Sequence, residues 1–295
     1  MLESRDRGRQ MRREGERSNY GLGIWTWVLL GMGCTQPEDP LVELNIFGQG
    51  EVLLSTDLPS TELGLGEEWI RLDFTRPGTD SGEGEDPELD DALVELIDGA
   101  EVSLDLALYD FDREEIIEAV LTAWERGVDV RAVGDEDEAD EPGFEAMEDA
   151  GIPVEYRPSS SRIMHHKFAV VDESVVWTGS TNLTDTGLEM NHNHGLIFGD
   201  DDLAEAYTAE FEQMALDGAF GRSKDDVLST HEFTVAGVEM GLFFAPQDDP
   251  EEVVIEAIAS ADHSIRFMIF SFTHQDVAAA LVEAAERGVD VVGIM

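Results

Sequence analysis

The chain has 295 residues, with 18 Lys and Arg against 66 Asp and Glu, for a formal charge of −48. A field of that sign repels polyanions, so the composition argues against a general nucleic-acid binder, whose affinity rests on Lys and Arg at phosphates. A single cysteine rules out a disulfide framework, and the acidity fits a solvated surface facing a saline exterior.

Residues 1–34 read as a secretory signal. Six arginines in the first 20 residues precede an apolar run, Gly21 to Gly33, that is too short to span a bilayer comfortably. Cys34 follows directly. A lone Cys after a small residue is similar to the lipidation site of bacterial lipoproteins, although Gly31 stands where a Leu is usual and Leu30 lies one step further out. The expectation is a lipid anchor on Cys34 and export from a bacterial cytoplasm to the periplasm or cell surface. Met11 is an alternative start, since residues 12–33 alone form a complete signal. Residues 35–68 read as a polar tether with short irregular structure.

A first lobe is expected over residues 69–222. Leu72 to Thr75 is predicted as a strand, Leu89 to Ile97 as a helix and Val102 to Tyr109 as a buried strand. Arg113 to Arg126 is a helix stopped by Gly127, and Val128 to Val133 is a further strand. A short helix over Gly143 to Ala150 and a strand over Pro153 to Tyr156 follow. Two β-prone runs, Phe168 to Val171 and Val175 to Trp177, form a predicted hairpin. Asp201 to Met214 closes the lobe as a helix with Leu203, Ala206, Tyr207, Phe211 and Met214 as its apolar positions. Alternation of this kind predicts an α/β fold with a largely parallel sheet flanked by helices.

The chain holds only two lysines, Lys167 and Lys224. Lys167 sits in His165-His166-Lys167, within the pattern H-x-K-x4-D-x6-G-S-x-N that runs from His165 through Lys167, Asp172, Gly179 and Ser180 to Asn182. Along a strand, His165 and Lys167 project together and His166 projects the other way. An imidazole beside a fixed ammonium is a phosphate site: the ammonium takes non-bridging oxygens and the imidazole attacks phosphorus or moves a proton. The Ser180 hydroxyl and Asn182 amide add donors, and Gly179 allows close backbone approach. Lys224, in a linker over residues 223–237, reads as surface. His192 and His194 suggest a metal site with His165 and His166, but no Cys or paired carboxylate completes a ligand set, so they read better as polar surroundings of the phosphate site.

The pattern resembles the repeated motif of the phospholipase D superfamily. That resemblance implies phospholipase D-like lobes and a phosphodiesterase in which His165 is a nucleophile forming a covalent phosphohistidine. Lys167 and Asn182 then bind phosphate oxygens, Ser180 adds a hydrogen bond, and Asp172 completes the catalytic motif in an orienting part. It implies no metal or other cofactor, and a second His from a second motif copy to protonate the leaving group. Asn193 falls where many single-motif nucleases of the superfamily carry a carboxylate that orients the catalytic His. The expected substrate is a phosphodiester, foremost a phospholipid headgroup, hydrolysed or transferred. A nuclease of the same chemistry and a non-catalytic binding lobe are the alternatives.

Residues 92–134 align without gaps to residues 253–295 at an offset of 161, with 13 of 43 positions identical. Leu72 to Pro77 likewise parallels Leu242 to Gln247, with extra loop residues in the first copy. Residues 238–295 are therefore expected to be the first half of a second lobe, and the offset places a second His-x-Lys near position 326. That motif is expected from a longer chain or, as the alternative, from a homodimer partner.

Overall fold

The computed structural model describes residues 69–77, 88–160 and 162–295. The signal, Cys34 and the tether lie outside the described residues. The first lobe is built on a seven-stranded mixed sheet. Its strands are β1 (Trp69–Phe74), β2 (Ser103–Ala107), β3 (Asp129–Asp135), β4 (Val154–Arg157), β5 (Phe168–Val171), β6 (Val175–Gly179) and β7 (His194–Gly199), in the order β1-β7-β6-β5-β2-β3-β4. The parallel pairs are β2–β3 and β3–β4, and every other neighbour is antiparallel. The parallel part is thus the βαβ half of the lobe, and the hairpin that carries the motif extends it antiparallel.

Helices cover both faces: α1 (Glu88–Asp98), α2 (Glu114–Arg126), α3 (Pro142–Ala150) and α4 (Asp201–Ala215). Strand alternation sorts the core. Leu104, Leu106, Ala169, Val171, Val175 and Trp177 face one cluster with residues of α1, α2 and α3. Ala107, Phe168, Val170 and Val176 face the other, against Leu203, Ala204, Tyr207, Phe211 and Met214 of α4. Helix α2 ends where Gly127 takes a left-handed φ of 93° and its N–H returns to the Trp124 carbonyl, a conformation that glycine adopts at least cost.

The chain then forms the hairpin β8 (Glu232–Val235) and β9 (Val238–Gly241), helix α5 (Pro250–Ser260), strand β10 (Ser264–Met268), helix α6 (Gln275–Glu286) and strand β11 (Asp290–Ile294). Strand β8 lies within the span read as linker. The segment Leu242 to Gln247, which parallels the one holding β1, forms no strand, and its Phe244 turns into the first lobe's core beside Tyr207. Strands β10 and β11 pair in parallel, Ser264 with Asp290, in the register of Ser103 with Asp129 161 residues earlier.

Candidate functional site

The C-terminal ends of β2, β3 and β6 and the N-terminal ends of β5 and β7 meet at one edge of the large sheet. In α/β sheets this edge is where ligands bind, because backbone groups and loop side chains converge there outside the core. His165, Lys167, Ser180, Asn182 and His194 all stand at it.

The His-x-Lys segment enters this edge just before β5, in a stretch without regular secondary structure, rather than on the strand itself. Its entry is pinned from below. The fully buried Asp135, at the end of β3, accepts a 2.7 Å hydrogen bond from the Met164 N–H, with Arg157 3.5 Å from the same carboxylate oxygen. The expected alternation holds. The His165 ring lies edge-on to Tyr109 at 5.1 Å, and the Lys167 Nζ stands 5.5 Å from the centre of the same ring. His166 turns the other way, between Phe168 and Phe244. Tyr109, just past β2, is thus a platform shared by the nucleophile candidate and the ammonium.

Lys167 is buried, and its Nζ donates to the His165 carbonyl at 3.2 Å. Burial pushes its pKa down to about 8, with Asp110 opposing that shift. His165 is also lowered, by burial first and then by the positive charges of Lys167 and His166. It is therefore a neutral imidazole at neutral pH, the form that can attack.

Asn182 donates to Asp110 at 2.6 Å, and its buried Oδ1 finds no hydrogen-bond donor among the described residues. Ser180 donates to Asn193 Oδ1 at 2.9 Å, lies 3.2 Å from His194 Nδ1 and accepts from the His194 N–H. These bonds need β6 and β7 to approach closely. Gly179 permits it, since a Cβ there would sit 2.2 Å from the His194 carbonyl oxygen.

Two predicted site residues stand elsewhere or act otherwise. Asp172 lies at the far end of β5, in the turn to β6, where its carboxylate accepts from the N–H groups of Glu101, Val102 and Ser103. It therefore staples the α1–β2 connection to the motif hairpin and does not reach His165, a correction to its place among the catalytic residues. Asn193 sits at the site edge, but its amide holds Ser180 and the Gly187 carbonyl rather than His165. The histidines do not assemble into a metal site: His192 is exposed, and His166 bonds to Glu210.

Four residues of the site gave no motif signal. Tyr109 donates to Glu138 at 2.8 Å. Asp110, Glu138 and Glu141 bring carboxylate oxygens within 4.8 Å of one another and could hold a cation. Asp110 is pushed up by burial and then by Glu138, and Glu141 by burial and then by Asp110. With Tyr109 on Glu138 and Asn182 on Asp110, this group forms an acidic wall beside Lys167. Lys224, expected at the surface, is buried, and it pairs with Glu210 of α4.

The family model described as "Cardiolipin synthase, PLD-like domain" matches residues 93–215 and 254–295. The chain is 40% identical over 124 residues to a mitochondrial cardiolipin hydrolase of Xenopus laevis, covering 41% of this chain and 58% of the frog protein. It is 36% identical over 124 residues to the human mitochondrial cardiolipin hydrolase, covering 41% and 49%. The chain thus spans about half the length of these curated relatives. A phosphatidylserine synthase structure from Haemophilus influenzae shares the fold, with TM-score 0.55 and 14% identity over 75% of this chain and 60% of that one.

Proposed function

The chain belongs to the phospholipase D-like family, and from that membership and the site geometry we propose that it is a phosphodiesterase acting on a phospholipid headgroup through a covalent intermediate on His165. The observation that carries this reading is the packing of His165 and Lys167 on one Tyr109 ring, with His165 held neutral, at the sheet edge where Ser180 and Asn182 also stand.

The steps follow from those groups. A His165 ring nitrogen attacks phosphorus, a P–N bond forms, and the P–O bond to the departing alcohol breaks as that oxygen gains a proton. Water then attacks the phosphohistidine, the P–N bond breaks, the phosphomonoester leaves and the water's proton is removed. Lys167 meets the non-bridging oxygens throughout, and its low pKa reflects a desolvated ammonium whose pull on phosphate is stronger than in water. Asn182 and Ser180 steady the same oxygens. The resemblance assigns the leaving-group proton to a facing motif, on a further lobe or a second copy.

A lipid substrate is supported by the acidic wall of Asp110, Glu138 and Glu141, which disfavours a polyanion but tolerates a single phosphodiester. The names of the relatives point the same way. A lipid anchor on Cys34 and an address outside the cytoplasm would bring the site to its substrate. Palmitate labelling that persists in Cys34→Ala would remove that part. The functional test offers the full chain vesicles of a labelled anionic phospholipid, and single-stranded DNA in parallel. Headgroup release without DNA cleavage is expected. DNA cleavage with untouched vesicles would establish the nuclease instead.

A further inference from the structure

The far face of the motif carries a buried polar cluster that the proposed chemistry does not use. His166 Nε2 lies 2.9 Å from Glu210 Oε1, and Gln213 donates to Glu210 Oε2 at 2.7 Å. Lys224, the only lysine besides Lys167, pairs with the same Glu210 and donates to the Ala245 carbonyl at 3.2 Å. The side chains of Glu210 and Lys224 are 1% and 2% exposed. The rings of Phe168 and Phe244 pack edge-on to His166, and Tyr207 packs against both of them, leaving His166 half-buried.

A buried ion pair is seldom worth its desolvation cost in stability alone, and apolar residues of the same volume would fill this core as well. What the cluster adds is direction. Burial pushes Glu210 up, but hydrogen bonds and charge from His166 and Lys224 outweigh it and hold the carboxyl below its usual range. The carboxylate is therefore ionised, and it grips His166 from below. Successive side chains alternate from His165 to Lys167, so fixing the middle one on one face constrains where its two neighbours point on the other. Those neighbours are His165 and Lys167.

We propose that Glu210, paired with Lys224, is a positioning residue that aims His165 and Lys167 into the site by holding His166 on the opposite face of the same segment. Through Lys224, Ala245 and Phe244, the segment leading into the second region is part of this support. As a statement about catalysis it rests on the phosphodiesterase reading; as a statement about geometry it does not.

The test uses the full chain and two readouts. Histidine side-chain NMR follows the His165 ring without any substrate. In folded Glu210→Gln, its resonances are expected to shift and its titration midpoint to move, with Lys224→Met giving the same change and Lys224→Arg restoring the wild-type position. On bis(4-nitrophenyl) phosphate, kcat/KM is expected to fall about 10- to 100-fold in Glu210→Gln, the cost of misaiming by a fraction of an ångström to an ångström. Should a single variant not fold, the double variant Glu210→Met/Lys224→Met, which keeps the core filled, is expected to fold and show the same displaced His165. His165 resonances identical to wild type in a folded Glu210 variant would overturn the proposal. A wild-type chain inert to phosphodiesters would instead overturn the functional reading, and the NMR comparison would still decide the positioning.

Discussion

Strands β2 and β3 with helix α2, and strands β10 and β11 with helix α6, are the same device at two places. Arg126 donates to the carbonyls of Ile97 and Ala100, and Arg287 to those of Ile258 and Ala261. Asp129 N–H bonds Val102 as Asp290 N–H bonds His263. Yet among the described residues only the first device is joined by a hairpin that carries the motif. Beside β2 stands β5, bringing His165 and Lys167 onto Tyr109, and the cradle is completed by β6 and β7. At the position matching Tyr109 the second has Phe270, fully exposed, and at that matching Asp110 it has Ser271. The βαβ frame is therefore a platform, and the groups proposed for the chemistry come from the residues from 164 to 194 that dock against it.

That comparison breaks most easily at the docked segment. His165→Asn in the full chain is expected to lower turnover of a phosphodiester by about 10³-fold or more, since a nucleophile cannot be replaced by its neighbours; wild-type turnover would dismiss the mechanism. The pH profile comes next. Attack needs neutral His165, whose pKa is lowered, so the acid limb should fall below the ordinary histidine range. Phosphate binding needs charged Lys167, so the rate should decline above about pH 8. A profile still rising well above that pH would sink the role given to Lys167.

Stability changes sharpen the comparison further. Asp172→Ala removes the acceptor for three backbone N–H groups that join the frame to the hairpin. It should cost about 1–3 kcal/mol in denaturant unfolding, and no loss would mean the staple is idle. The smallest expected effect tests the shared frame. Arg126→Ala and Arg287→Ala should each cost about 1 kcal/mol locally by hydrogen exchange, and only Arg126→Ala lies in the lobe with the site.

Much of this was legible in the sequence. The spacing picked out His165, Lys167, Ser180 and Asn182, which stand together at the sheet edge, because chemistry fixes both residue types and intervals. The strand and helix order followed from periodicity. Tyr109 and Asp110 were not legible, since nothing in a buried strand's pattern says which residues beyond its end will face a ligand. Asp172 was grouped with the catalytic residues because the motif marks it without saying at which end of β5 it lies. Glu210 did leave a trace: it occupies the core-facing stripe of α4 with Leu203, Tyr207, Phe211 and Met214, where a carboxylate needs a partner. The partner, Lys224, lies beyond the helix in a segment that composition alone marks as surface, and only tertiary packing joins them.

The central claim, that His165 on the docked segment is the group that takes the phosphoryl, is tested most directly by trapping. The full chain is mixed with bis(4-nitrophenyl) phosphate, quenched in alkali, where phosphohistidine survives, and digested for mass spectrometry. A phosphoryl adduct on His165, absent from His165→Asn, is the predicted result. An adduct on His166 or His194, or turnover that persists in His165→Asn, would contradict it.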